Sequence, residues 1–161
     1  MEQKKINLLS IEECNEELKD LGPEPLSIPF TENVYLDHIK NRRGNLKLKL
    51  VDQHFLSGIG NCYSDEICYD AEILPTRKIE DLDLMEQKKL YHSIRHILQT
   101  ATNIGGYMEH PLFMNDPKTG KYNDECKVYD MEGATCLRCQ QKIVFIELSS
   151  KKCFYCPGCQ K

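Results

Sequence analysis

The sequence predicts a mainly α-helical protein ending in a small β ribbon built on four cysteines, and three observations carry this. Residues Asp83 to Asn103 place Leu90, Ile94, Ile97, Leu98, Ala101 and Ile104 at helical spacing, and Gly105-Gly106 follows where a helix should stop. Residues Leu46 to Glu66 set two shorter apolar segments on either side of a turn spelled Ser57-Gly58-Ile59-Gly60-Asn61. Cys136-x2-Cys139 and Cys156-x2-Cys159 flank 16 residues, a spacing that lets each pair point two thiolates at one ion.

At 161 residues the chain can bury a real core, and 40% hydrophobic with 29% charged is ordinary globular composition. It holds no unbroken apolar run near the length of a membrane span, and too short an apolar stretch follows Met1-Glu2-Gln3-Lys4-Lys5 for a secretory signal. The expected location is therefore the cytoplasm, where thiols are reduced. There, an odd count of nine cysteines argues for metal ligation rather than a disulfide framework. The net charge of −4 is a blunt measure, because positive charge is local. Ile39 to Lys49 carries Lys40, Arg42, Arg43, Lys47 and Lys49 with no acid, and Glu132 to Lys161 carries five basic residues against two acidic ones. Local patches of this kind are what phosphate binding needs.

In chain order, Lys5 to Leu9 is a short apolar stub, read as one strand. Ser10 and Glu13 form a capping box for a helix through Ile11, Cys14, Leu18 and Leu21, ended by Gly22. Gly22-Pro23-Glu24-Pro25-Leu26 cannot continue a helix and reads as a rigid connector. This first segment is acidic and is expected to have packed on something else. Thr31 caps a helix from Glu32 to about Arg42, with Val34, Tyr35, His38 and Ile39 on one face. Leu46, Leu50, Val51 and Phe55 fit a second helix, although Leu46-Lys47-Leu48-Lys49-Leu50 also alternates like a strand; the helix is preferred. The third helix starts at the glycine turn, with Asn61 as its N-cap, and runs to about Ala71. Ser64, Asp65 and Glu66 then fall in its first turns, where the helix dipole favours acids. The free N–H groups of such a turn make an anion site, with Lys47 and Lys49 just upstream; an ordinary interhelical turn is the alternative.

His92 and His96 lie four apart on the long helix, but no third ligand is near in sequence, so surface or core histidines are preferred to a metal pair. Tyr107 to Tyr129 has little periodicity and reads as a long loop. In the last thirty residues Cys136, Cys139, Cys156 and Cys159 close one tetrahedral Zn²⁺ site with no open position, so the zinc is structural. Between them lies a hairpin with a Ser149-Ser150 tip. Cys153 should alternate away from the ion, and Cys14, Cys62, Cys68 and Cys126 should simply pack.

Together these pieces resemble the C-terminal half of the formamidopyrimidine-DNA glycosylase and endonuclease VIII family. The residues that carry the likeness are Leu21-Gly22-Pro23-Glu24-Pro25-Leu26, Leu50-Val51-Asp52-Gln53, and Gly58 through Glu66. It continues through Ile73-Leu74-Pro75, Gly105-Gly106, Val128-Tyr129 and the cysteine ribbon ending Cys156-Pro157-Gly158-Cys159-Gln160. The resemblance implies a remnant and connector over 1–26, a helix-two-turn-helix domain over 27–112, a linker over 113–131 and a zinc finger over 132–161. It also implies damaged or abasic double-stranded DNA as the partner. Carried over by position, Lys47, Gly60 and Asn61 would hold phosphates flanking a lesion. Lys151 stands where the family usually has an arginine on the backbone. The loop Met114 to Asn123 falls where some members cover the flipped base.

Departures from the family pattern bear on activity. Family enzymes attack through the amine of an N-terminal proline, whereas this chain begins Met1-Glu2-Gln3 and has no proline before Pro23. Lysine at 151 lacks the bidentate geometry of arginine. The family's Gly-Arg after Val-Tyr is here Asp130-Met131, and its threonine near the third ligand is Cys153. The expectation is the DNA-binding half of a glycosylase/AP lyase, with no catalytic residue of its own and no base excision. The alternatives are a stand-alone binding module or half of a split repair enzyme, and a zinc-ribbon protein-interaction module.

Overall fold

The computed structural model describes residues 7–111, 113–117 and 120–161. Helix α1 (Ile11–Leu18) carries the expected capping box, with Glu13 N–H bonded to Ser10 Oγ and Ser10 N–H to Glu13 Oε2, yet it buries none of its residues. The strand expected over Lys5 to Leu9 does not form among its described residues, Asn7 to Leu9; Lys5 and Ile6 lie outside them.

The connector is strapped to the turn around Gln53–Ser57 and to Arg95 of the long helix. Gly22 N–H bonds Gln53 O at 2.7 Å, Ser57 N–H bonds Pro23 O at 3.2 Å, and Arg95 bonds Pro25 O at 2.7 Å. A Cβ on Gly22 would meet Phe55 O at 2.5 Å, so only glycine permits this approach.

Helix α2 (Glu32–Ile39) is capped by Thr31 and buries Tyr35 and Ile39. It stops short of Arg42, whose N–H folds back on Ile39 O. Helix α3 (Leu46–Leu50) settles the ambiguous alternating stretch: Leu46, Lys47 and Leu50 share the buried face, which is helical spacing. Its first N–H groups find carbonyls across the chain, Leu46 N–H on Arg77 O (2.8 Å) and Lys47 N–H on Pro75 O (3.0 Å). It is shorter than expected, because Asp52 O captures the N–H groups of Phe55 and Leu56 in a tight turn.

Helix α4 (Asn61–Ala71) is the centre of the molecule, buried at every position from Ser64 to Tyr69. It packs on α5 (Leu84–Asn103), which buries Leu90, Ile94, Ile97, Leu98 and Ala101 as its periodicity predicts, with Ile104 partly buried beyond its end. Asp83 caps α5 through a second capping box, with Glu86. On its other side α4 meets the ribbon, strands β1 (Val144–Leu148) and β2 (Lys151–Tyr155), paired antiparallel with Leu148 opposite Lys151. The tip residues Ser149 and Ser150 both have positive φ (48° and 63°), the two-residue turn whose twist suits a hairpin. The ribbon's end returns to the C-terminus of α4, where Gln160 Nε2 donates to Ile73 O and Lys161 N–H to Glu72 O. Cys136, Ile143, Phe154 and Cys156 of the ribbon belong to the same apolar cluster as the helices.

Candidate nucleic-acid interface and metal centre

The turn before α4 is held open by one side chain. Gln53 Oε1 accepts from Gly58 N–H (2.8 Å), while its Nε2 donates to Ile59 O (2.9 Å). Gly58 sits at φ +86°, and Ile59 is driven fully into the core. The result lifts Gly60 and Asn61 to the surface. Gly60, not Asn61, is the N-cap; Asn61 is the first helical residue, and no side chain caps the helix. The correction has a physical consequence: glycine brings no side-chain oxygen to satisfy the first-turn N–H groups, which leaves them for an external acceptor. They open on a recess of about 270 Å³ lined by Gly58, Gly60, Asn61, Cys62, Tyr63, Tyr107, Glu109 and Tyr129.

Lys47 does not stand in that recess. Its side chain is 0% exposed, and Nζ donates to Asp65 Oδ1 (2.6 Å) and to Asn61 O (3.0 Å). The expectation of a phosphate contact is corrected: this ammonium is spent behind the turn, fixing the carbonyl of Asn61. Asp65 completes the link, because its Oδ2 accepts from Phe154 N–H of β2 at 2.9 Å. Burial pushes its carboxyl up to about 6 against the opposing pull of Lys47 and Phe154 N–H. A buried chain of bonds thus runs from Asn61 through Lys47 and Asp65 to the strand that begins with Lys151.

Asp65 and Glu66 therefore do not serve the helix dipole as expected. Glu66 is buried and its carboxylate gathers three consecutive N–H groups, Lys127, Val128 and Tyr129, at 2.9–3.0 Å. Burial raises its pKa, and these N–H groups oppose that rise. This pins the segment that presents the Tyr129 ring to the recess. The signal missed in the sequence was position: both acids share a short helix with Ile67, Cys68 and Ala71, too apolar a run to face water. Asp130, which follows, takes positive φ (55°) and ion-pairs with Lys152 at 3.3 Å.

Lys151 is exposed as the first residue of β2, beside the tip. Of the loop Met114 to Asn123, Lys118 and Thr119 lie outside the described residues, as does Leu112 before it. The rest is pinned at its end, where a Cβ on Gly120 would meet Gly106 O at 2.5 Å and the Asn123 side chain bonds both N–H and C=O of Met108.

The four ribbon sulfurs, Cys136, Cys139, Cys156 and Cys159, offer ligand atoms all within 4.8 Å of one another. Cys136 and Cys159 sulfurs are 3.6 Å apart, and those of Cys139 and Cys156 are 3.3 Å apart. A tetrahedron with metal–sulfur bonds of ~2.3 Å has edges of ~3.8 Å, so the cluster fits one four-thiolate ion with no position left for water. A Cβ on Gly158 would fall 2.7 Å from Cys139 Sγ, which explains glycine in that knuckle. Cys153 is buried in β2 beside Asp65 and is not one of the four clustered sulfurs. His92 and His96 pair with different carboxylates, Glu32 (2.9 Å) and Asp70 (3.3 Å), and form no cluster among the described residues.

Comparison with known proteins agrees with this architecture. Residues 21–110, over half the chain, match the family model of the formamidopyrimidine-DNA glycosylase H2TH domain. Formamidopyrimidine-DNA glycosylases of Listeria monocytogenes and Prochlorococcus marinus are 34% and 35% identical over 144 residues, 89% of this chain but 53% and 51% of theirs. The Lactococcus lactis Fpg in complex with abasic-site DNA superposes with a TM-score of 0.86 at 30% identity, covering 95% of this chain and 57% of that one. MutM in complex with DNA containing carbocyclic 8-oxo-G gives 0.83 at 30% identity, over 95% and 56%. The chain spans about half the length of the relatives it matches, and with its helix-two-turn-helix region and four-cysteine ribbon it belongs to the formamidopyrimidine-DNA glycosylase family.

Proposed function

We propose that this chain is the damaged-DNA-binding part of a base-excision-repair glycosylase/AP lyase, acting with DNA in the cytoplasm and holding one structural Zn²⁺ on its four ribbon thiolates. The observation that carries the reading is the uncapped start of α4 at Gly60–Asn61, buttressed from behind by Lys47 and Asp65. A DNA phosphate seated there would accept from first-turn N–H groups and feel the positive end of the helix. Lys151 at the ribbon tip would take a second phosphate. Because both grips are joined through Asp65 and Phe154 N–H, they would hold the backbone at a set spacing and favour a bent duplex, which eases extrusion of a base. We assign no nucleophile to these residues. The proline amine that cuts in the family would have to come from a catalytic domain elsewhere.

The test is fluorescence anisotropy with an abasic duplex at low salt. Binding is expected, with Asn61→Ala weakening it and no release of oxidised base by the chain alone. Failure to bind any lesion-bearing duplex would end the proposal, and measurable excision would overturn its second half. One observation favours a partner polypeptide or further domain over a self-sufficient module: Leu8 and Ile11 are 104% and 82% exposed, and Leu18 and Leu21 are exposed beside them. A pull-down that recovers a proline-initiated catalytic domain would identify a split enzyme. A zinc-ribbon interaction module would instead show DNA affinity indifferent to Asn61 and Lys151. No helix among the described residues is long and apolar enough to cross a membrane.

A further inference from the structure

Two cysteines outside the metal centre meet behind the recess wall. Cys62, the second residue of α4, and Cys126, which closes the 3-10 turn Tyr122–Glu125, bring their sulfurs to 3.7 Å. From the sequence alone, both are expected simply to pack. Neither belongs to the four-sulfur cluster. Each adjoins a part of the proposed grip: Cys62 follows Asn61 and lines the recess, and Cys126 precedes the Lys127–Tyr129 segment that Glu66 pins.

We propose that Cys62 and Cys126 form a reversible disulfide, driven by a peroxide, that loosens the phosphate seat at Gly60–Asn61. The roles divide by access. Cys126 is half-buried and its S–H points to Tyr122 O at 3.5 Å, whereas Cys62 is 6% exposed. The hydrogen bond with Cys126 and burial also push the Cys62 thiol up, so attack on peroxide falls to Cys126. The Cys126 sulfur attacks one peroxide oxygen, the O–O bond breaks, and the departing hydroxide takes the thiol proton as water, leaving a sulfenic acid. The Cys62 sulfur then attacks the Cys126 sulfur, the S–O bond breaks, and a second water carries off the Cys62 proton. Two thiols lose two electrons and the peroxide becomes two waters.

Bond formation requires the sulfurs to close from 3.7 Å to about 2.05 Å. Cys62 sits one residue from Asn61, so the first turn of α4 moves with it. The carbonyl held by Lys47 and the N–H groups aimed at the recess are then displaced. The disulfide itself does not depend on the DNA reading, but its effect on binding rests on it.

The experiment titrates the zinc-loaded full chain with hydrogen peroxide, alkylates remaining thiols, maps peptides without reduction, and follows metal release with a zinc indicator. The Cys62–Cys126 peptide is expected to appear before any zinc is released and to vanish with dithiothreitol. Affinity for an abasic duplex should fall about tenfold on oxidation, the scale of losing a phosphate contact, and recover on reduction. Cys126→Ser and Cys126→Ala should bind DNA as the reduced parent does and resist the peroxide effect. Cys62 or Cys126 still alkylatable after zinc is lost would overturn the disulfide. Linkage with unchanged affinity would overturn its effect on the seat. If the reduced chain ignores DNA, the functional proposal fails while the peptide map still decides the disulfide.

Discussion

Replacing Lys47 with methionine separates a buttress from a phosphate contact. The substitution keeps an unbranched apolar stem of similar reach and deletes the ammonium, leaving the Asp65 carboxylate buried with Phe154 N–H and the Cys153 thiol beside it but no opposing charge. Removing one partner of a buried pair typically costs about 3–5 kcal/mol, whereas an exposed phosphate-binding lysine costs about 0.5 kcal/mol or less. Urea unfolding should therefore show a large drop for Lys47→Met. The companion Asp65→Leu should also destabilise, since it strands both the ammonium and Phe154 N–H. The double variant should recover part of the loss, because the uncompensated charge is gone. DNA binding supplies the second measurement. A lysine that touches phosphate contributes about 0.9 to the slope of log affinity against log salt. As a buttress, Lys47 should contribute nothing to that slope, and Lys47→Met should shift the whole line to weaker binding at unchanged steepness. Unchanged stability together with a flatter salt dependence would refute the buttress and restore the direct contact.

Further outcomes follow from the same geometry. Lys151→Ala, at the exposed start of β2, should flatten the salt slope by about 0.9 without changing stability beyond about 0.5 kcal/mol, read by anisotropy across a salt series. Cys139→Ser should lose the metal and the hairpin together, because ion binding supplies the ribbon's folding energy; Cys153→Ser should keep the metal, and a colorimetric zinc assay distinguishes the two. Gly22→Ala should lower thermal stability by about 1–3 kcal/mol, since its Cβ would strike Phe55 O at 2.5 Å. The Asp65 carboxyl is raised to about 6 in the folded chain from about 3.9 unfolded, so the folded state binds its proton more tightly. The stability this group contributes is full below about pH 4 and is lost as pH rises toward 6. The cost of Asp65→Asn relative to the parent should shrink over that interval, as measured by unfolding at each pH.

Much of this protein can be read from spacing alone. The capping box at Ser10–Glu13, the run of α5 and its glycine stop are local signals, set by hydrogen bonds and side-chain period within a few residues. The four-cysteine ribbon is equally legible, because two Cys-x2-Cys knuckles at that separation can converge on one ion, and Cys153 stands outside the cluster as expected. What the sequence could not convey is which polar groups face inward. Lys47 lies in a basic run and looks like a solvent charge; only the packing of α3 against α4 brings it within reach of Asp65 and the Asn61 carbonyl and removes it from water. Asp65 and Glu66 likewise look like helix-dipole acids until β2 and the Lys127–Tyr129 segment arrive with unsatisfied N–H groups. The pairing of Cys62 with Cys126, 64 residues apart, is of the same kind. Local periodicity determines the elements, since it depends on neighbours along the chain. The fate of a buried charge depends on which partner the tertiary fold places opposite it.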